Sequence, residues 1–392
     1  MIRDLLPLAP VLLGHACLVV LAINALHGVG IRGHWPNKIT YAFLVVTGVA
    51  GLVLAWSWLR GDSWPWPLRG YAWLCGLVGG LGLPIVTAVR LLRPRVPGVS
   101  GRDHVLDLAA EHGVDRLIGD CRRARLMRPS WSDALRLQCH EWEVELPRWP
   151  EALDGLSITQ LTDLHMSPIY QREFFERVFH EAGRWDSDLV VFTGDLIESN
   201  EALPWVESLF PTVKGRIGTL AILGNHDILH DDEALKRSLA HADVTEIDGS
   251  WREWSLNGVK LAVGGTSAPW GPRLPLDLVR HVDATVVLSH TPDLFPWLAR
   301  KGVDLVLSGH NHGGQIRLPV IGPMLMPSVY SRRYDQGFFR KDDATLYVSR
   351  GIGGANPVRY RCPIEITRLV LRSPKRQGRG TRQVAQGAIA RS

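Results

Sequence analysis

Five apolar runs between residues 158 and 308 of this chain each end in a small cluster of polar residues. ITQLT leads into Asp163, Leu164 and His165, and LVVFT into Gly194 and Asp195. LAIL leads into Gly224, Asn225, His226 and Asp227. ATVVLS ends in His290, and DLVLS in Gly309, His310, Asn311 and His312. Carboxylates, imidazoles and an amide together form a donor set for divalent ions such as Mn²⁺, Fe or Zn²⁺. Taken singly these fragments are ordinary, since Gly-Asp pairs form turns and a histidine after a strand commonly packs in one. Their repetition at strand ends carries more weight, because ligands bind in the crevice beyond the carboxyl ends of strands in α/β sheets. A glycine beside the polar residue in three of the five clusters lets backbone approach a bound group closely.

The elements that must position these clusters are short β-type runs separated by helical stretches. WEVEL, LSITQLT, LVVFTG, LAILG, VKLAVGG, ATVVLSH, DLVLSG and TLYVSR read as strands. Residues 171–184, 202–210, 232–241, 275–281 and 293–300 read as helical. Strands alternating with helices define an α/β domain of layered packing, placed at residues 143–372. Residues 93–142 read as a juxtamembrane linker. HVLDLAAEHGVDRLIGDCRRARLM within it has the spacing of short amphipathic helices, packed on the domain or lying on anionic lipid. Residues 373–392 lack apolar periodicity and read as a disordered basic tail.

Residues 1–92 differ in kind. Runs at 5–26, 40–59 and 70–92 are each about 20 residues long, enough to cross a hydrocarbon core as helix. Trp56, Trp58, Trp64, Trp66, Tyr71 and Trp73 gather around the second connection, as an interfacial aromatic belt does. A cleavable signal peptide is the rival for the first run, but it lacks a small-X-small cleavage site and two more spans follow. Arg32, Lys38, Arg90, Arg93, Arg95 and Arg102 fall on one membrane face; Arg3, Arg60 and Arg69 fall on the other. The positive-inside bias therefore puts the C-terminal domain of a multi-pass inner-membrane protein in the cytoplasm. The net charge of +5 is concentrated beside the apolar spans, in a cluster at Arg122–Arg128 and in the tail. No run of basic residues interleaved with aromatics marks a nucleic-acid groove, so no nucleic-acid partner is expected. The five cysteines contain no Cys-X-X-Cys pair and read as reduced residues.

The ordered set Asp-X-His, Gly-Asp, Gly-Asn-His-Asp, His and Gly-His-X-His resembles the calcineurin-like metallophosphoesterase superfamily. SGHNHGGQIRLPVIGP, LSHTPD and VSRGIG are similar to its membrane-associated bacterial branch. The resemblance covers roughly Glu143 to Leu371. It implies a layered β-sandwich flanked by helices, preceded by the transmembrane region. It further implies one metal held by Asp163, His165, Asp195 and His312, and a second held by Asp195, Asn225, His290 and His310. His226 would then act as general acid or charge stabiliser, oriented by Asp227. Thr162, where many relatives carry Ser, retains a hydroxyl.

The activity implied is hydrolysis of a phosphodiester or pyrophosphate bond with an activated water. Certain relatives of this architecture hydrolyse the pyrophosphate of UDP-2,3-diacylglucosamine, which makes a lipid-linked substrate a candidate. Gly313, Gly314 and Gln315 are expected to shape the floor beside His312. The loop IRLPVIGPMLMPSVYSRRYDQGFF either admits an acyl chain, with Arg317, Arg332 and Arg333 on phosphate, or packs on the domain edge. Trp270 is either a pocket wall or a core residue. Two alternatives remain: a phosphodiesterase of soluble nucleotides merely tethered to the membrane, and a metal-binding membrane scaffold without turnover.

Overall fold

The computed structural model describes residues 8–31, 33, 35–60 and 66–374. Three apolar helices come first: α1 (Ala9–Gly28), α2 (Trp35–Arg60) and α3 (Trp66–Leu91), all long and apolar enough to cross a membrane. A π-helical turn at Val78–Gly82, in VGGLG just before Pro84, interrupts α3. Proline and small residues are tolerated in such helices because neighbouring groups satisfy the freed backbone. A Cβ at Gly14 would collide with the Cys75 carbonyl, so a small residue lets α1 and α3 approach.

The strands of the following domain form two sheets. The first is seven-stranded, in the order β1 (Val99–Asp107), β2 (Arg136–Glu145), β15 (Ile364–Arg372), β3 (Ser157–Leu161), β4 (Leu189–Thr193), β5 (Gly218–Ile222) and β6 (Thr245–Glu246). The second is six-stranded, in the order β13 (Gly337–Lys341), β14 (Ala344–Val348), β10 (Leu305–Ser308), β9 (Ala284–Ser289), β8 (Val259–Thr266) and β7 (Trp251–Leu256). A small ribbon pairs β11 (Arg317–Leu318) with β12 (Gly322–Pro323). Strands β3 to β6 run parallel, as do β8, β9, β10 and β14.

Both faces of the central strands are buried, so they read as continuous apolar runs without polar alternation. Val191, Leu220, Val263, Val286 and Leu307 fill the space between the sheets. Val190 and Phe192 turn outward onto α4 (Arg172–Gly183), whose Phe174, Phe175 and Phe179 close that side with α5 (Leu203–Leu209) and α6 (Asp232–His241). On the outer side of the second sheet, Phe295 and Leu298 of α7 (Phe295–Arg300) pack with Val287 and Val306. The result is the layered sandwich with flanking helices expected from the sequence.

The segment 93–142 departs from its expected reading as a linker of short helices. HVLD lies in β1, and only Leu108–His112 of that stretch is α-helical. Strand β1 is an edge strand exposed along nearly its whole length, so it carries no one-sided apolar pattern; pairing with β2 alone defines it. Arg102 and Glu141 form an ion pair across this edge at 2.9 Å, a charged guard against further strand pairing. The sheet thus begins at Val99, before the expected boundary at 143. The helix expected at 275–281 is a 3₁₀ turn, Asp277–Arg280. The tail expected to be disordered falls chiefly on residues 375–392, outside the described residues.

A buried ion pair joins the two sheets beneath the strand ends. Arg350, just past β14, meets Glu365 of β15, and both side chains are almost wholly buried. Burial alone would raise the Glu365 carboxyl, but Arg350 and His140 hold it well below the usual range. Because the folded-state value is depressed, the pair's contribution is complete above the unfolded carboxyl's pKa of about 4.3 and is lost as pH falls. Glu365→Ala leaves the Arg350 cation buried and is expected to cost about 3–5 kcal/mol. A urea unfolding midpoint unchanged from wild type would show that the pair does not tie the sheets.

Candidate metal centre

The parallel strands of both sheets point their carboxyl ends to one edge, and seven polar side chains from five strand ends meet there. Asp163 and His165 follow β3, Asp195 follows β4, Asn225 follows β5, His290 follows β9, and His310 and His312 follow β10. Five of the seven, Asp163, His165, Asp195, His310 and His312, have positive φ angles between 46° and 67°. Non-glycine residues avoid this region unless the surroundings enforce it, and such strain clusters at functional sites. A Cβ on Gly224 would collide with Asp195 Oδ1, and one on Gly309 with Asp163 Oδ2, so glycine is required at both strand ends.

Two ligand groups share one carboxylate. In the first, His165 Nε2 lies 3.5 Å from Asp195 Oδ2 and 3.2 Å from His312 Nε2, which is itself 3.5 Å from Asp163 Oδ1. In the second, His290 Nε2 lies 3.4 Å from Asp195 Oδ2, 3.0 Å from Asn225 Oδ1 and 3.2 Å from His310 Nδ1. The outward ring atoms settle the tautomers. His165 Nδ1 meets Glu198 at 2.8 Å, His290 Nδ1 meets the Thr193 carbonyl at 2.9 Å, and His310 Nε2 meets the Pro327 carbonyl at 2.8 Å. Each of these outward nitrogens therefore has a fixed acceptor, which aims the inward nitrogen at the centre. Inward imidazole nitrogens facing carboxylate and amide oxygens make a donor set that fits divalent cations.

The electrostatics agree. Burial lowers His290, yet the Asp195 carboxylate overrides it and lifts the imidazole to about 9. Burial and the nearby His290 push His310 down to about 3. Positive charge is thus favoured beside Asp195, but protons cannot supply it on both rings.

Asp227 is placed differently from its expected role of orienting His226. Its buried carboxylate accepts hydrogen bonds from the backbone N–H groups of Leu196, Ile197 and Gly224 at 2.8–2.9 Å, pinning two strand-end loops together. Glu198 occupies the position beside His226: its Oε2 lies 2.7 Å from His226 Nδ1 and 2.8 Å from His165 Nδ1. The sequence signal for Glu198 was its place three residues after Asp195 at the same strand end. Arg359 is a second residue that sequence reasoning missed. It is fully buried, donates to the Gly353 carbonyl at 2.9 Å and stands 3.3 Å from His312 Nδ1. Arg359 in NPVRYR, outside the strand-end clusters, gives no local signal.

The residues expected to bind substrate are otherwise engaged. Arg317 donates to the Gly313 carbonyl at 2.6 Å and pairs with Asp335 at 2.8 Å, so its guanidinium secures the turn after His312. Gly313 and Gly314 are buried, and a side chain on either would meet Arg350 or Pro323 instead of open space. Trp270 is buried with its ring 4.8 Å from that of His310, serving as core and as a wall of the centre together.

The helices α1 and α3 reach this centre through the loop between β11 and β13. Asn24 of α1, only 2% exposed, donates to the Met324 carbonyl and Ser331 Oγ and accepts from the Met326 N–H at 2.9 Å. Arg90 of α3 donates to the Val320 carbonyl at 2.6 Å. The same loop carries Pro327, whose carbonyl holds His310. Its Val320, Leu325 and Val329 side chains are exposed, whereas Met326 is buried against the protein.

With this geometry in hand, comparison with known proteins is direct. The sequence model of the calcineurin-like phosphoesterase family matches residues 156–314. The uncharacterized metallophosphoesterase YkuE of Bacillus subtilis is 32% identical over 234 residues, covering 57% of this chain and 82% of that protein. An uncharacterized metallophosphoesterase of Helicobacter pylori (strain J99) is 30% identical over 247 residues, covering 59% of this chain and 64% of that protein, just under two thirds of its length. The UDP-2,3-diacylglucosamine pyrophosphatase LpxG of Chlamydia muridarum is 26% identical over 303 residues, covering 59% of this chain and 88% of that protein. This chain belongs to the calcineurin-like phosphoesterase family and is a hydrolase acting on ester bonds.

Asp195→Ala removes the carboxylate common to both groups and is expected to lower the metal retained per chain, measured by inductively coupled plasma mass spectrometry. His226→Ala, outside both groups, is expected to retain the wild-type amount. Equal metal in all three proteins would contradict the shared-ligand arrangement.

Proposed function

We propose that this chain is a membrane-anchored phosphoesterase that hydrolyses a phosphodiester or pyrophosphate bond of a lipid-linked substrate, UDP-2,3-diacylglucosamine being the first candidate. The anchor is the three N-terminal helices, and the positive-inside bias favours a catalytic domain on the cytoplasmic face of the inner membrane. The observation that carries the lipid reading is the loop at residues 316–334. One side of it holds His310, another is bolted to α1 and α3, and exposed apolar side chains stand between. A reaction centre mounted in this way works at the bilayer surface, where a lipid-linked phosphate is concentrated. Similarity to LpxG supports the same substrate class.

In this reading Asp163, His165, Asp195 and His312 hold one divalent ion, and Asp195, Asn225, His290 and His310 hold the other. When bound, such a pair neutralises phosphoryl charge and acidifies the attacking water. His226 is the proton donor to the leaving oxygen. Its side chain, at 28% exposure, is more open than those of His165, His290 and His312, and Glu198 lies 2.7 Å from its Nδ1, leaving Nε2 to deliver the proton. Burial lowers His226, but Asp195 and Glu198 outweigh it and raise the imidazole to about 9. Glu198 aligns His226 with His165, and Asp227 fixes the loops that carry Asp195 and Asn225.

The test is hydrolysis of bis(p-nitrophenyl) phosphate and of UDP-2,3-diacylglucosamine by the full chain in detergent, after metal stripping and again with Mn²⁺. Turnover of both is expected only with metal, and His226→Ala is expected to lower kcat by about 10²–10⁴. Cleavage of the small diester with the lipid left intact would refute the lipid substrate and keep the hydrolase. Bound metal with no turnover of either compound would favour a non-catalytic scaffold. Asn24→Leu, which unfastens the loop under His310, is expected to raise KM for the lipid more than for the small diester. Equal effects on both would mean that the span does not help to place the lipid.

A further inference from the structure

A cavity of about 860 Å³ lies between α1, α3 and the catalytic domain, within the range of roughly 300–1,000 Å³ typical of ligand sites. Val20 and Leu21 of α1 and Leu83, Val86 and Val89 of α3 make its membrane-side wall. Phe295, Phe338 and Phe339 continue the apolar surface into the domain. None of the seven ligand residues of the metal centre lines it. The loop carrying Met324 and Tyr330 forms part of its wall, while Pro327 of that loop turns its carbonyl to His310.

The basic residues around this apolar space are its distinguishing feature. Arg90, Arg93 and Arg95 come from the end of α3 and the residues after it, Arg332 and Arg333 from the loop, and Arg340 and Lys341 from β13; no carboxylate lines the cavity. Among the described residues only two of these seven form ion pairs: Arg93 with Asp335 at 3.2 Å, and Lys341 with Asp342 at 3.8 Å. Asp335 is also the partner of Arg317, so one carboxylate serves two guanidinium groups. Arg90, Arg332 and Arg340 each donate to a carbonyl and form no ion pair among the described residues. Burial and the adjacent Arg90 push Arg332 below the ordinary arginine range, and Asp335 only partly offsets them. A long apolar space under an excess of positive charge, at the end of a span, matches one chemical class: an acyl chain joined to a phosphate.

We infer that this cavity binds an anionic glycerophospholipid of the surrounding bilayer, with an acyl chain against Leu83 and Val86 and the phosphate among Arg95, Arg332 and Arg333. This lipid is a fixed component and not the substrate, since it sits on the far side of the loop from the metal ligands. Bound there, it fills the joint between α3 and the domain and neutralises the cluster that otherwise repels itself. The inference rests on the membrane anchoring proposed above, and it is independent of which ester is hydrolysed.

The full chain, purified in detergent and delipidated, would be offered dioleoylphosphatidylglycerol or dioleoylphosphatidylcholine at equal concentration, with retained lipid counted by native mass spectrometry. Phosphatidylglycerol is expected to be retained about tenfold better than the neutral lipid. The Arg95→Gln/Lys341→Gln double variant removes charge and Val86→Trp fills the acyl space, and each is expected to lower that retention by about tenfold. Both variants are expected to keep wild-type metal-dependent hydrolysis of bis(p-nitrophenyl) phosphate, showing an intact domain. Equal retention of the two lipids, or unchanged retention by both variants, would mean ordinary boundary lipid and overturn the site. Displacement of the lipid by millimolar inorganic phosphate would overturn the acyl component. A chain released from membranes by carbonate without detergent would overturn the anchoring, and this site with it, while leaving the hydrolase untouched.

Discussion

The constraint on which the rest of the structure depends is the convergence of four imidazoles and two carboxylates at one largely buried edge. His165 Nε2 and His312 Nε2 lie 3.2 Å apart, and so do His290 Nε2 and His310 Nδ1, with Asp195 between the two pairs. Unscreened, such an arrangement repels itself in a buried setting, where burial already disfavours charge. It persists because the scaffold leaves these atoms nowhere else to go. Strand ends from both sheets fix the backbone, five residues are held in left-handed conformations, and glycines admit carboxylates against the main chain. The outward ring nitrogens are tied to Glu198, Thr193 and Pro327. Folding energy from the rest of the domain is thus converted into a preorganised charge deficit that a divalent cation satisfies.

The two-sheet sandwich suits this purpose because its edge is long and its interior dry. Strands buried on both faces cannot rotate without exposing Val190 and Phe192 on one side or Val191 on the other. Their carboxyl ends are therefore fixed relative to one another to within packing tolerance. Arg350 and Glu365 add a directional lock at the same edge, and the neighbouring Gly351 backs onto Asp163. A change of register in either sheet would break that ion pair and displace a ligand residue together.

The metal cluster was legible in the sequence because each ligand residue ends an apolar run, and short-range order of that kind survives in a linear reading. Strands β3, β4, β5, β9, β10 and β14 were legible for the same reason. Strand β1 was not, since VSGRDHVLD is an exposed edge held only by pairing with β2, and a residue pattern cannot register a partner more than thirty positions away. The engagement of Arg317 with Gly313 and Asp335 was not legible on similar grounds. A basic residue and two glycines after a metal-type motif look like substrate contacts, but Asp335, distant from them in the fold's wiring, turns Arg317 into a structural clamp. Asn24 gave half of its meaning. It is an amide inside an apolar span, and its partners at Met324, Met326 and Ser331 lie some three hundred residues away.

The exchange of roles between Asp227 and Glu198 follows from where each carboxylate can reach. Asp227 is wholly buried and surrounded by backbone N–H groups, so its charge is spent on holding Leu196, Ile197 and Gly224. Glu198 has one more methylene and lies at the rim, where its Oε2 stands 2.7 Å from His226 Nδ1 and 2.8 Å from His165 Nδ1. Burial opposes its ionisation, but the two imidazoles bring the carboxyl down to about 2. A single anion therefore fixes the orientation of a metal-facing ring, His165, and of a more open ring, His226, whose planes meet nearly at right angles 4.6 Å apart. Any shift in the first ring is transmitted to the second through the shared oxygen. His226 is in this way registered to His165 by one side chain, while standing outside the cluster of seven.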